Sequence, residues 1–434
     1  MNNKSINKTK IIKNPGISAV EFFEKLSGKE KNVCFLHTAS GNGKSILAWG
    51  PVSKFVYKMA GFKRRNSKNF EQIFENFIIQ NTKKRRKLIG YFSYDLSYQL
   101  YDVKRHAKDD LKLPDVHFFA FDNWVVFENR KIKVFYKDAK FLAKVYEILK
   151  RKNREDKGGK INKAGFKMTI SKEQYKKAYE KIENYIKAGD IYQINLTQRL
   201  EASTSQKPRE LFAKIIKTNP VEFAAYVEGD GFEILSASPE RFIKIENRKI
   251  ETCPIKGTRP RGRTAKEDEK FRKELLKSEK EAAELDMITD LLRNDLGKVC
   301  KIGSVKVAGN RLISKCPTVW HTYSKIVGEL DNGVTPIRAL ISMLPGGSIT
   351  GCPKKRAIEI IDELEPKTRG IYTGVIGYVD PNFDLDFNIA IRTVIKKGGK
   401  LYLQVGGGIV YDSTEKAEYE ETLLKAGSFL GILK

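Results

Sequence analysis

Two periodicities share the chain. Short runs that are apolar throughout or at alternate positions, bounded by Gly, Asn or Asp, read as strands, and longer runs with apolar residues three and four apart read as helices. From about Val33 to Glu128 the pattern predicts VCFLH, a loop, KLIGYFSYDL and HFFAFDNWVVF, with IKVFYK next as a strand and KFLAKVYEILKRK as a helix. The tract RKNREDKGGKINKAG is charged and almost free of apolar residues, so it reads as a linker centred near Gly158. Beyond it SKEQYKKAYEKIENYIKAG is helical, while DIYQINLTQRLEA, EFAAYVEG and FEILSASPERFIKI are strand-like. One long helix then runs through KEDEKFRKELLKSEKEAAELDMITDLLRNDLG. Grouped strands and helices without a βαβαβ rhythm predict a mixed α+β fold rather than a doubly wound sheet. The expected divisions are a flexible basic tail over 1–14, an N-terminal half over 15–157 and a C-terminal core over 165–434.

With 434 residues, 41% of them hydrophobic, the chain can bury a sizeable core. No run approaches the ~20 apolar residues that span a bilayer, and the basic, polar start has no signal-peptide core, so the expectation is a cytoplasmic protein without membrane contact. Five widely spaced cysteines without a C-x-x-C pair argue against a disulfide framework and a structural zinc site. The net charge of +28 is spread along the whole chain and accompanies no nucleic-acid-binding signature. It reads as a solvated surface that would draw in an anionic substrate rather than as a nucleic-acid interface. Ser40-Gly41-Asn42-Gly43-Lys44-Ser45 ends like a phosphate-binding loop but has Thr38 where that motif needs its first glycine, so it reads as a turn before a strand.

Three features carry candidate chemistry. Glu281 and Glu284 lie three apart on a helical stripe continued by Ile288 and Leu291, and Glu418 and Glu421 repeat the device one turn before Lys425. Acids at that spacing repel, and burying them calls for a cation such as Mg²⁺, although the same spacing also suits an ordinary solvated face. Gly346-Gly347 precede a helix and suggest a place for an anion, while Gly406-Gly407-Gly408 interrupt a strand pattern, as a bulge or a close-approaching ligand would require. Arg392 is a lone charge in FNIAIRTVI, read as lying inside a strand, and a buried arginine needs a carboxylate or an equivalent partner. A helix cap, a bulge or a salt bridge would explain each singly. Together they outline a pocket for a small molecule bearing carboxylates.

At this point the runs YQINLTQR, SASPERF, PIKGTRPRG, ELDMITDLLRNDLG, PGGSITGCPKKRAIEIIDELEP, RGIYTGVIGYVD, DFNIAIRT and QVGGGIV resemble, in order, the motifs of the chorismate-utilising enzymes. The resemblance covers about Lys167 to the end, and GYFSYDL looks like the family's N-terminal half. It implies two large antiparallel β-sheets packed face to face with helices outside. It also implies that Glu284 and Glu421 are Mg²⁺ ligands, with Glu281 and Glu418 holding the ion's waters. By the same resemblance Arg392 and Tyr372 hold the enolpyruvyl carboxylate of chorismate, and Gly406, Gly407, Gly408 and Lys425 line a carboxylate pocket. His321 matches a histidine near the departing 4-hydroxyl, and Glu240 the general acid that protonates it.

Two positions bear on the product. Relatives that add water carry a lysine where this chain has Gln193, and an amide has no basic lone pair with which to activate water. Lys256, beside Thr258 in PIKGTRPRG, stands where relatives that aminate C2 carry a small residue and aminodeoxychorismate synthases carry lysine, a covalent nucleophile. The expected reaction is conversion of chorismate and ammonia to 4-amino-4-deoxychorismate for para-aminobenzoate and folate synthesis, with anthranilate formation as the alternative. None of the five cysteines has the Gly-flanked elbow of a glutamine amidotransferase, so a separate subunit is expected to supply ammonia. The chain stops just after the last family helix, so no fused lyase is expected. Departures are Leu424 and Cys352, and the acid-free run His37-Thr38-Ala39-Ser40, which implies no tryptophan feedback.

Overall fold

The computed structural model describes residues 7–433 apart from 27, 40–42, 60–66, 152–164 and 318. The expected linker centred near Gly158 and the start of the Ser40 turn therefore lie outside the described residues.

Two sheets, one of twelve strands and one of ten, form the body of the molecule. In the larger sheet the strand Phe223–Glu228 pairs antiparallel with Cys34–His37, and in the smaller Val375–Val379 pairs with Lys87–Phe92. Each sheet thus joins a block of strands from before residues 152–164 to a block from after them at one of these pairings. The run Lys87–Phe92 is buried along its whole length, which explains its unbroken apolar character. Ile89 and Tyr91 join a core with Ile46, Ala225 and Ile395 of the other sheet, so the two sheets pack face to face. Leu88 and Phe92 point the other way, into a core shared with the helices Ser67–Lys83, Lys172–Lys187 and Glu279–Gly297. A third core lies between the larger sheet and the helices Ala19–Glu24, Ala139–Lys150 and Pro208–Thr218. The fold is α+β, as the patterning and the resemblance implied.

Three local expectations are corrected. Within the supposed loose tail, Lys8–Lys13 is an edge strand paired in register with Lys131–Tyr136, and Ile12 packs on the core while the lysines stay in water. The long helix is two, Ala265–Lys277 and Glu279–Gly297, broken at Ser278. Ser278 adopts an extended backbone and its hydroxyl accepts from the Glu281 N–H, an N-cap that competes with helix continuation. Gly346-Gly347 do not lead directly into a helix N-terminus, since a short turn and the strand Gly351–Cys352 intervene before the helix Lys354–Leu364. Gly347 instead gives room to Leu291, which a Cβ there would meet at 2.4 Å.

Candidate active site

The strands Gln193–Ser203 and Lys400–Ile409 of the larger sheet pair without a register shift, setting Asn195, Leu196 and Thr197 opposite Gly408, Gly407 and Gly406. The triple glycine is therefore not a bulge. What it allows is close approach. A Cβ on Gly407 would lie 3.0 Å from Glu418 Oε2, and one on Gly408 would lie 3.1 Å from Gln193 Nε2 and 3.5 Å from Lys256 Nζ. Lys425, from the helix Glu415–Leu433, donates to the Gly406 carbonyl at 2.9 Å and pairs with Glu421 at 2.6 Å. Gln193 is buried, and neither atom of its amide has a hydrogen-bond partner among the described residues.

Facing these glycines is the strand Ile255–Pro260 of the smaller sheet. Its pairing with Val319–Glu329 shifts register between Lys256 and Thr258, where Gly257 takes a φ of 78° that a side chain would strain. The irregularity leaves Lys256 opposite Thr322 and Thr258 opposite His321. Thr258 Oγ1 lies 2.9 Å from His321 Nδ1. Burial, reinforced by the charge of Arg392, depresses His321 to about 4, so its imidazole is neutral at neutral pH. Lys256 Nζ stands 3.9 Å from Glu284 Oε2, an ion-pair separation too long for a hydrogen bond.

Glu284 and Glu281 come from the helix that starts after Ser278, and Glu418 and Glu421 from the helix Glu415–Leu433. Arg259 donates to Glu281 Oε1 at 2.8 Å, while Glu281 Oε2 is buried with no partner among the described residues. Ser413 donates to Glu418 Oε1 at 2.7 Å. Burial raises Glu418, and the charge of Glu421 pushes the same way against the Ser413 hydrogen bond. Burial also acts upward on Glu421, but Lys425 outweighs it and the net shift is down. Among the described residues no three His, Cys, Asp or Glu side chains stand together as a ready metal cluster. The carboxylates are held by basic and hydroxyl neighbours. An orphaned Glu281 oxygen and a Glu418 carboxyl pressed by burial and by the charge of Glu421 are nonetheless the conditions a hard cation relieves.

Glu240 closes one side of the site. It is buried, and Ser348 Oγ donates to its Oε1 at 3.1 Å. Burial pushes Glu240 up to about 7, against the Ser348 hydrogen bond, the charges of Lys256 and Lys425 and the Ile255 N–H. A carboxyl half-protonated at neutral pH can serve as a proton donor.

Arg392 is not inside a strand. The chain passes from Leu385–Ile389 in the smaller sheet to Thr393–Lys397 in the larger, and Arg392 makes the crossing with a φ of 50°. Its guanidinium bonds no described carboxylate, and burial lowers its pKa. Tyr372 sits on an adjoining turn, where Thr373 N–H donates to the Ala390 carbonyl at 2.9 Å. Burial raises its hydroxyl well above the ordinary tyrosine range, so it stays a neutral donor.

Sequence reasoning missed two groups that shape the site. Ser348 lay in a quoted motif without a role, because a serine in a glycine-rich turn has too many uses to be assigned one. Arg259 lay in PIKGTRPRG, and only the pairing of its strand beside the helix Glu279–Gly297 brings it to Glu281.

The fold and this site define one class. Residues 32–431 match the model of the chorismate binding enzyme family, to which the chain belongs. It is therefore an enzyme acting on chorismate. It is 34% identical to aminodeoxychorismate synthase component 1 of Bacillus subtilis (strain 168), over 94% of this chain and 93% of that one. It is 40% identical to anthranilate synthase component 1 of Acetivibrio thermocellus, over 79% of this chain and 74% of that one. The crystal structure of anthranilate synthase component I from Streptococcus pneumoniae TIGR4 superposes with a TM-score of 0.80 at 30% identity, covering 97% of this chain and 99% of that one. No helix among the described residues is long and apolar enough to cross a membrane.

Proposed function

We propose that the chain is the chorismate-aminating component of an aminodeoxychorismate synthase, forming 4-amino-4-deoxychorismate, the precursor of para-aminobenzoate. The observation that carries this reading is the position of Lys256. Its amine reaches over Gly408, 3.5 Å from where a Cβ would be, beside Glu284 and the unpartnered amide of Gln193. In this reading Arg392 and Tyr372 hold the enolpyruvyl carboxylate. Glu240 delivers a proton to the 4-hydroxyl as the Lys256 amine bonds to C2 and the ring double bonds shift. Ammonia then adds at C4, the double bonds shift back, and Lys256 departs from C2. Covalent catalysis of this kind divides one displacement into two easier ones. In the same reading neutral His321, held by Thr258, would lie near the departing oxygen.

Glu284 and Glu421 would hold Mg²⁺, with Glu281 and Glu418 holding its waters. When bound, the ion supplies positive charge to the ring carboxylate and to electron density leaving with the hydroxyl. Ammonia would come from a separate glutamine amidotransferase subunit, and the enzyme would work in the cytoplasm.

A second reading, anthranilate synthase component 1, is favoured by the 40% identity to the Acetivibrio thermocellus protein. The two differ in where nitrogen ends. Product identification from chorismate, ammonia and Mg²⁺ separates them, and a lone chain that used glutamine would overturn the separate-subunit proposal.

A further inference from the structure

Arg369 and Glu365 form a buried ion pair between segments that carry the site, yet neither touches the groups placed around the substrate. Arg369 is 2% exposed and Glu365 4%. The pair is a fork: Nε donates to Glu365 Oε2 at 2.9 Å and Nη2 to Oε1 at 2.7 Å. The remaining N–H groups go to the Ile349 carbonyl at 2.9 Å, the Thr373 hydroxyl at 3.5 Å and the Asn195 carbonyl. Every donor of the guanidinium is thereby used, and the Tyr94 ring covers its face at 4.6 Å. Glu365 Oε1 also accepts the Thr197 N–H at 3.0 Å.

Each acceptor adjoins a working residue. Ile349 follows Ser348, which bonds Glu240. Thr373 follows Tyr372, whose carbonyl accepts from the Thr373 hydroxyl at 2.6 Å. Asn195 and Thr197 lie opposite Gly408 and Gly406 of the triple glycine, on the strand that begins with Gln193. A buried ion pair needed only for stability could be replaced by apolar packing. Only a planar group with five donors can hold these segments at fixed mutual distances.

We propose that Arg369, clamped by Glu365, is a positioning residue that registers the acid end of the site, Glu240 with Ser348, against the carboxylate end at Tyr372. The proposal rests on the chorismate-amination reading. Chorismate spans both ends, so a slip of one against the other separates proton delivery from binding, and a misplacement of ~1 Å can cost about a hundredfold in rate.

The experiment compares wild type with Arg369→Lys and Glu365→Gln, assayed with chorismate, ammonia and Mg²⁺ over pH 6–9, with folding followed by circular dichroism. Wild-type turnover is measured first. Its absence, or a different product, sinks the amination reading and leaves the variants to be judged by chorismate binding. With turnover present, the variants test the positioning role alone. Arg369→Lys keeps the charge with fewer donors, and Glu365→Gln keeps the acceptor's shape. Folded variants are expected to lose kcat by about ten- to a hundredfold, with a smaller rise in KM. The alkaline limb should also move up by about half a pH unit, because a loosened Ser348 bond leaves the burial of Glu240 less opposed. Lys256, Lys425 and the Ile255 N–H, the other groups acting on Glu240, are unchanged in both variants. Activity lost only in proportion to the folded fraction, with an unmoved limb, would overturn the proposal. So would failure of both variants to fold, since the pair would then serve the fold as a whole.

Discussion

Ser348 Oγ donates to Glu240 Oε1 at 3.1 Å, and among the described residues no other side chain donates to that carboxyl. The carboxyl is therefore balanced between burial, which keeps its proton, and the Ser348 hydroxyl, the Ile255 N–H and the charges of Lys256 and Lys425, which release it. With Glu240 at about 7, the acid is protonated below neutrality and lost above it. The kcat profile should fall on the alkaline side of about pH 7. Ser348→Ala should move that limb upward, because the removed bond favours the carboxylate. Glu240→Gln should lower kcat by roughly 10²- to 10⁴-fold and abolish the limb. Steady-state kinetics across pH 6–9 checks all three.

Lys256→Ala tests the nucleophile. The variant keeps the acid, the glycines and Arg392, so chorismate should still bind with a KM within about threefold of wild type. Formation of 4-amino-4-deoxychorismate should fall at least about a hundredfold, the usual consequence of losing a covalent catalyst, and some anthranilate should appear. Wild-type rates in this variant would remove Lys256 from the chemistry.

Gly407→Ala places a methyl 3.0 Å from Glu418 Oε2. The carboxylate must shift, and with it the hold on any cation shared with Glu421. The Mg²⁺ concentration for half-maximal activity should rise about tenfold or more, in line with other disturbances around metal ligands. Calorimetric titration with Mg²⁺ alone should show the same weakening.

Three histidines, His37, His117 and His321, are each depressed to about 4 by burial. Their unfolded value is near 6.5, so between pH 6.5 and 4 the unfolded chain binds more protons. Stability from these groups is full above about pH 6.5 and is lost as pH falls towards 4, by up to about 3 kcal/mol each. Both ring nitrogens of His117 lack partners among the described residues, and its ring packs against Phe119. His117→Phe should flatten the acid dependence of the urea midpoint by about a third.

Much of this was legible in the chain. The largely apolar run at Lys87–Phe92 signalled a strand, and the carboxylate spacing signalled two helical acid pairs, because both are properties of local period. Arg392 was misplaced for the opposite reason. Its apolar neighbours on each side belong to strands of different sheets, and a crossing between sheets leaves no mark on periodicity. The triple glycine was read as a break, while the structure keeps the strand and uses the missing side chains as space for Glu418, Gln193 and Lys256. The bonds of Ser348 to Glu240, of Arg259 to Glu281 and of Arg369 to the Ile349 and Asn195 carbonyls join residues distant in sequence, and no local pattern encodes them.

The central claim is tested by incubating the purified chain with chorismate, Mg²⁺ and ammonia and identifying the product with and without a downstream aminodeoxychorismate lyase. The expected product is 4-amino-4-deoxychorismate, turned to para-aminobenzoate only when the lyase is added. Anthranilate as the main product, independent of the lyase, would contradict it.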